Sequence, residues 1–169
     1  KVLDRTTQRL GREAARAEAV AHGQMSQQDA ERAKEPIAWG EMAVRIISRE
    51  LGSLRGLSDE QAGERMRTAI INANSSIFER TLTEHDKRGM GTTTTALILL
   101  PRRYLIGQVG DSRAYLLRNG HFLQVTKDHS YVQEQVDLGL LTQEQARVHP
   151  YSNVITRCIG ANADVVPDV

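Results

Sequence analysis

The stretch Arg88–Val125, RGMGTTTTALILLPRRYLIGQVGDSRAYLLRNGHFLQV, sets four short β-prone runs between chain breakers. The runs are Thr92–Leu100, Tyr104–Val109, Ala114–Leu117 and Phe122–Val125, and Pro101-Arg102-Arg103, Gly110-Asp111 and Asn119-Gly120 separate them. β-Branched and aromatic side chains suit a pleated surface, whereas Pro and Gly interrupt it, so the spacing predicts an antiparallel meander. Asn119-Gly120 predicts a type I′ hairpin turn, because both central residues of that turn need positive φ. Ala96–Leu100 is apolar at every position, which predicts a strand covered on both faces.

Upstream, Ala43, Ile46, Ile47, Leu51 and Leu54 recur at helical spacing and predict a core-packing helix over Gly40–Leu54. Ser58-Asp59-Glu60-Gln61 is a capping box, and Ala62, Met66, Ala69, Ile70, Ala73 and Ile77 follow in steps of three and four, predicting a long helix to about Arg80. Helices in series ahead of a block of strands point to an α+β sandwich and not to a βαβ repeat. Downstream of Asp128, Ser130–Gln133 is a second capping box with Gly139 placed as a C-cap. Thr142–Gln145 is a third, stopped by His149-Pro150, so a compact two-helix insertion is expected. NVITRCIG, Asn153–Gly160, returns to strand-like composition. Residues 1–36 are rich in Ala, Arg, Gln and Glu with a thin apolar stripe, and are set apart from 37–169 as a solvated helical segment. The chain starts without Met and stops on Val165-Val166-Pro167-Asp168-Val169, which suggests a piece of a longer protein.

The 169 residues suit one domain, and a formal net charge of +1 argues against nucleic acid as a partner. Cys158 is the single cysteine, which excludes an intrachain disulfide framework and fits the reducing cytoplasm. No apolar run is long enough for a membrane segment. Gly89-Met90-Gly91-Thr92-Thr93 lacks the Lys and following helix of a phosphate loop, and reads as a tight turn into a strand. Leu140–Ala146 opens like a DNA-binding helix-turn-helix, but Pro150 removes the recognition helix. The five histidines show no metal-ligand spacing and are expected mostly at the surface, and no G-x-S-x-G elbow supports a serine nucleophile. Asp111 and Asp128 stand at the ends of consecutive strands. A carboxylate there suits a hard cation such as Mg²⁺ or Mn²⁺. Also open are an Asx turn for Asp111, which the residues favour over a metal ligand, and a helix cap near Ser130 for Asp128.

Beyond these individual readings, RGMGTTTTALIL, GQVGDSRAYLLRNG, LQVTKDHSYVQEQVDLGLLTQEQARVHPYSNVITRCIGA and GEMAVRIISREL closely resemble bacterial metal-dependent protein serine/threonine phosphatases of the 2C type, over about Ala38–Val169. The resemblance implies a sandwich of two sheets flanked by helices (αββα), and a Mn²⁺ or Mg²⁺ centre whose ions activate water toward phosphoserine or phosphothreonine. It places Asp128 toward a metal and gives Asp111, Ser112 and Arg113 of the G-D-S-R turn a structural, supporting role. Ser130–Asn153 becomes a flap beside the cleft, with Ser130, His149, Asn153 and Arg157 as residues of that region. A phosphoprotein substrate and an opposing Ser/Thr kinase are the implied partners. The family's D-G-x-G-G motif should fall just before Gly40-Glu41, where this chain has Arg32-Ala33-Lys34-Glu35-Pro36, and two further aspartate motifs would fall beyond Val169. These departures imply a partial domain with little activity of its own, and they keep a non-catalytic phosphatase-like binding module as the alternative.

Overall fold

Helix α1, Trp39–Leu51, turns Ala43 and Ile47 inward, one helical turn apart. Helix α2, Asp59–Thr83, starts as predicted. Ser58 N donates to Gln61 Oε1 at 2.9 Å, and Gln61 N donates to Ser58 Oγ at 3.2 Å, which satisfies two otherwise orphaned donors. Its predicted stripe, Ala62 through Ile77, is buried. The helix runs past Arg80 by three residues, with Thr81 buried and its Oγ1 donating to Phe78 O. The computed structural model describes residues 39–52, 54, 56–83, 89–100 and 102–169, so the segment 1–36 lies outside the described residues. The chain divides into two compact units, Lys1–Glu41 and Met42–Val169, and α2 and every element after it belong to the second.

Strands β1 (Thr94–Leu100) and β2 (Arg103–Val109) form one antiparallel hairpin, and β3 (Tyr115–Arg118) and β4 (His121–Gln124) form another. Asn119 at φ 50° and Gly120 at φ 78° make the positive-φ pair expected of a type I′ turn. Tyr115 and Phe122 stack across β3 and β4 with centroids 4.6 Å apart. On one face of β2 the alanine-rich stripe of α2 approaches closely. A Cβ added at Gly107 would lie 2.7 Å from Ile70 Cδ1 and would also meet Met66 Sδ. Only a residue without a side chain fits there.

The predicted meander is not what forms: β2 and β3 do not pair, and the strands make two separate two-stranded sheets. The outer edge of β2 is taken at Gln108 by the chain terminus, with Gln108 N donating to Asp168 O at 2.8 Å and Asp168 N returning to Gln108 O at 3.0 Å. At Gly110, φ 106°, the chain bends away. The carbonyls of Gly110 and Ser112 then accept from Gln108 Nε2 at 2.9 and 2.8 Å, so side-chain amide replaces ladder. Coverage of β1 on both faces is also not found. Leu97 pairs with Ile106 and Leu99 with Tyr104 on the face turned away from Gly107, and there Leu97 is 57% and Leu99 77% exposed. Helix α2 packs on one face of this sheet at β2, and no second described sheet covers the other.

Two small helices follow. Helix α3, Tyr131–Asp137, has Ser130 Oγ accepting from Gln133 N, but the reciprocal arm is missing because Gln133 Nε2 bonds Asp137 Oδ1 instead. Its C-terminus closes as expected, with Gly139 at φ 72° donating to Val136 O and Leu140 N donating to Gln135 O. Helix α4, Gln143–Arg147, carries the full capping box of Thr142 and Gln145. Asn153–Gly160 forms no strand; it makes isolated bridges, Ser130 with Ile155 and Thr92 with Ile159. Its end is held by Asn74, a polar residue in the apolar stripe of α2 that sequence periodicity hides. Asn74 Oδ1 accepts from Gly160 N at 2.8 Å and Nδ2 donates to Asn162 O and Ala163 O.

Gly107→Ala should lower stability by about 1–3 kcal/mol through overpacking. The measure is the urea midpoint with the m-value unchanged; an unmoved midpoint would mean that α2 does not pack on β2 at this point.

Candidate functional site

A cleft of about 950 Å³ opens between the β3–β4 hairpin and the α3–α4 segment. The hairpin register sets its floor. Tyr115 lies opposite Gln124, Val125 N donates to Ala114 O at 2.9 Å, and Ala114 N donates to Thr126 Oγ1 at 3.0 Å. These bonds prolong the pairing past the strand ends and bring Arg113 opposite Asp128. The guanidinium meets the carboxylate edge-on: Nε lies 3.0 Å from Oδ1 and 2.9 Å from Oδ2, and Nη2 lies 2.6 Å from Oδ2. Gln124 Nε2 adds a bond to Oδ1 at 3.1 Å. The Asp128 side chain is 6% exposed and that of Arg113 51%. The hydrogen bond to Asp128, with a second to Tyr115, holds the Arg113 guanidinium protonated beyond its ordinary range.

Asp128 therefore caps nothing; Ser130 takes the helix N-terminus. Asp111 does not close an Asx turn either. It lines the cleft, half-buried, with no hydrogen bond or ion pair to a described residue. Ser112 Oγ pairs with Thr93 Oγ1 at 2.7 Å, and its carbonyl also accepts from Thr95 Oγ1. Of the residues expected in a flap, Ser130 and Asn153 line the cleft. His149 sits in a cluster of rings with Tyr131 and Tyr151, and its Nδ1 accepts from Tyr151 N. Arg157 lies at the chain terminus, donating to Val166 O at 3.0 Å and Asp168 Oδ1 at 3.1 Å.

Sequence reasoning missed His129. Most of the five histidines are expected at the surface, but this one is 2% exposed. Its Nδ1 accepts from Gly110 N at 3.0 Å, so Nε2 carries the hydrogen and donates to Asp168 Oδ2 at 3.0 Å. Gly110 and Asp168 are far from it in sequence, and no spacing motif announces the contact. Burial alone would raise the Asp168 carboxyl, but the hydrogen bonds from His129 and Arg157 and the charge of Arg157 outweigh it and hold the group below its ordinary value. Burial pushes the Cys158 thiol up, away from a reactive thiolate.

A Mn²⁺ or Mg²⁺ centre needs several oxygen donors converging on one point. Among the described residues no three His, Cys, Asp or Glu side chains do so. Three N–H groups already meet the two oxygens of Asp128: Arg113 Nε–H, shared between both, Arg113 Nη2–H and Gln124 Nε2–H. The charge of the Arg113 guanidinium offsets the attraction that the Asp128 carboxylate would offer a divalent ion. The described residues do not fit a metal centre.

The described fold is mixed α+β, helices with antiparallel strands, and solved structures that resemble it are serine/threonine phosphatases. The chain belongs to the protein phosphatase 2C family, which matches residues 3–135. It is 37% identical over 126 residues to the serine/threonine protein phosphatase PstP of Mycobacterium tuberculosis, covering 72% of this chain and 24% of that protein. Its structure is similar to that of the serine/threonine phosphatase Stp1 from Staphylococcus aureus, with a TM-score of 0.68 and 32% identity over 76% of this chain and 52% of that one. It is also similar to the catalytic domain of PstP in complex with two manganese ions, with a TM-score of 0.59 and 32% identity over 76% of this chain and 53% of that one. The chain thus spans a quarter of the PstP sequence and about half of each solved relative.

Because the folded-state pKa of Asp168 is depressed, its contribution to stability is present above the unfolded value near 3.8 and is lost as pH falls through the folded value. Asp168→Asn should therefore lower stability at pH 7, by no more than about 1 kcal/mol for a half-exposed carboxylate. Urea titrations in acid should show that gap closing. A gap that stays constant from neutral pH to below 3.8 would mean that the carboxylate charge contributes nothing here.

Proposed function

We propose that the protein to which this chain belongs is a Mn²⁺- or Mg²⁺-dependent phosphatase that hydrolyses phosphoserine and phosphothreonine in proteins, acting in the cytoplasm against a Ser/Thr kinase. The observation that carries this reading is the family match over residues 3–135 together with a cleft built on the G-D-S-R turn and Asp128. The resemblance assigns Asp128 to a metal, and the manganese-bound relative supports a metal requirement for the whole protein. Within the described residues, Arg113, Lys127 and Arg147 line the cleft and give it cationic groups suited to a phosphorylated side chain, while Ser130 and Asn153 offer neutral polar contacts. No helix among the described residues is long and apolar enough to cross a membrane.

A second reading, a non-catalytic phosphatase-like module that binds phosphoprotein, is favoured by one observation: the Asp128 carboxylate is already engaged by Arg113 and Gln124. Phosphate release from a phosphothreonine peptide separates the two. The protein at the length of its relatives should turn over with Mn²⁺ and stop with EDTA, and the 169-residue chain should show little turnover. A long form that binds the phosphopeptide and releases no phosphate would establish the second reading in place of the first.

A further inference from the structure

We infer that Arg147 is a specificity-determining residue of the cleft, reading an acidic side chain next to the phosphorylated residue of a phosphoprotein. The inference rests on the reading of this cleft as a phosphoprotein site, and it holds for either form of that reading, hydrolytic or not. Three cations line the cleft among the described residues, Arg113, Lys127 and Arg147. Arg113 is held by Asp128 at 2.6 Å and Lys127 by Asp137 at 2.7 Å. Arg147 has neither a hydrogen bond nor a salt bridge to a described residue. It acts at longer range on the exposed Glu144, three residues back on the same helix, a spacing at which an exposed pair contributes little.

Local structure turns that guanidinium toward the cleft. Helix α4 is pinned at its start by the reciprocal Thr142–Gln145 cap and along its length by buried Ala146. Gln143, Ala146 and Arg147 stand three and four residues along from one another's turn, so they share one helical face, and all three line the cleft. On the hairpin side the carboxylates are Asp128, enclosed with Arg113, and Asp111, which has no partner among the described residues. The cleft is therefore polarised, with its uncommitted anion toward the hairpin and its uncommitted cation toward α4. A carboxylate on a ligand is repelled from the Asp111 wall and drawn to the Arg147 wall. A planar guanidinium also suits a carboxylate, which it can meet with two parallel N–H bonds. The volume of about 950 Å³ is near the top of the roughly 300–1,000 Å³ range of ligand pockets, which leaves room for a neighbour of the phosphorylated side chain.

The test is fluorescence anisotropy of the 169-residue chain with labelled phosphothreonine peptides flanked by glutamate, alanine or lysine. Their unphosphorylated forms are measured beside them, in EDTA so that turnover does not consume the peptides. The phosphorylated glutamate peptide should bind about two- to fivefold more tightly than the alanine peptide, the scale of one exposed ion pair, and the difference should shrink as salt rises. The lysine peptide should bind more weakly than either. Arg147→Gln should remove the preference, Arg147→Lys should keep part of it, and Arg147→Glu should reverse the order. Arg118→Glu makes the same charge change at the end of β3, outside the cleft, and should leave the order as it is. Phosphorylated and unphosphorylated peptides binding alike would overturn the phosphoprotein reading and this inference with it. Phosphate-dependent binding that is the same for all three flanks, or that Arg118→Glu alters as much as Arg147→Glu does, would overturn this inference alone.

Discussion

A single buried amide, that of Gln108, determines how the second half of this chain is laid out. Its Oε1 accepts from Thr95 Oγ1 at 2.6 Å, and its Nε2 donates to the carbonyls of Gly110 and Ser112. Its backbone exchanges two bonds with Asp168. Both side-chain donors and both main-chain groups are thus spent in a residue that is 2% exposed. A buried amide left partly unsatisfied would cost more than the same bonds contribute when made, so the arrangement admits few alternatives. The G-D-S-R turn takes the shape that gives Gln108 its acceptors, and the chain enters β3 from that turn in the one direction that leaves Arg113 facing Asp128.

From that point the electrostatics follow. Arg113 and Asp128 sit fifteen residues apart on the two legs of a hairpin, and the pairing of Tyr115 with Gln124 sets their separation. An aspartate enclosed to this degree must be partnered, and the guanidinium fork does so with geometry a lysine could not match. The same residue types therefore support two different chemistries. A carboxylate at the end of a strand beside a cleft is what a hard cation requires, and it is equally what an arginine requires. Which of the two holds it is a question of local charge, and in this chain the charge within reach is Arg113.

The packing of α2 shows the same dependence on distant partners. The alanines of its stripe let β2 come close, and Gly107 lets the strand lie against Met66 and Ile70. Asn74 then uses the one polar place in that stripe to hold Gly160, Asn162 and Ala163. The sheet that results has one face committed to helix and one face carrying exposed leucines at 97 and 99.

What could be read directly in the sequence was what depends on near neighbours. The Ser58 and Thr142 caps, the buried stripe from Ala62 to Ile77, the Asn119-Gly120 turn and the left-handed Gly139 all involve contacts within a few residues, and residue type at short spacing encodes them. The family likeness was legible for a related reason, since its motifs are unbroken strings. Tertiary structure alone decided the rest. The separation of β2 from β3 needed Asp168 to arrive at the edge of β2. The burial of His129 needed Gly110 on one side and Asp168 on the other, and the occupancy of Asp128 needed Arg113 across the hairpin. Helical and strand periods report which face of an element is apolar, but they carry no information on which distant donor will meet a given acceptor, and in this chain the candidate site consists of such meetings.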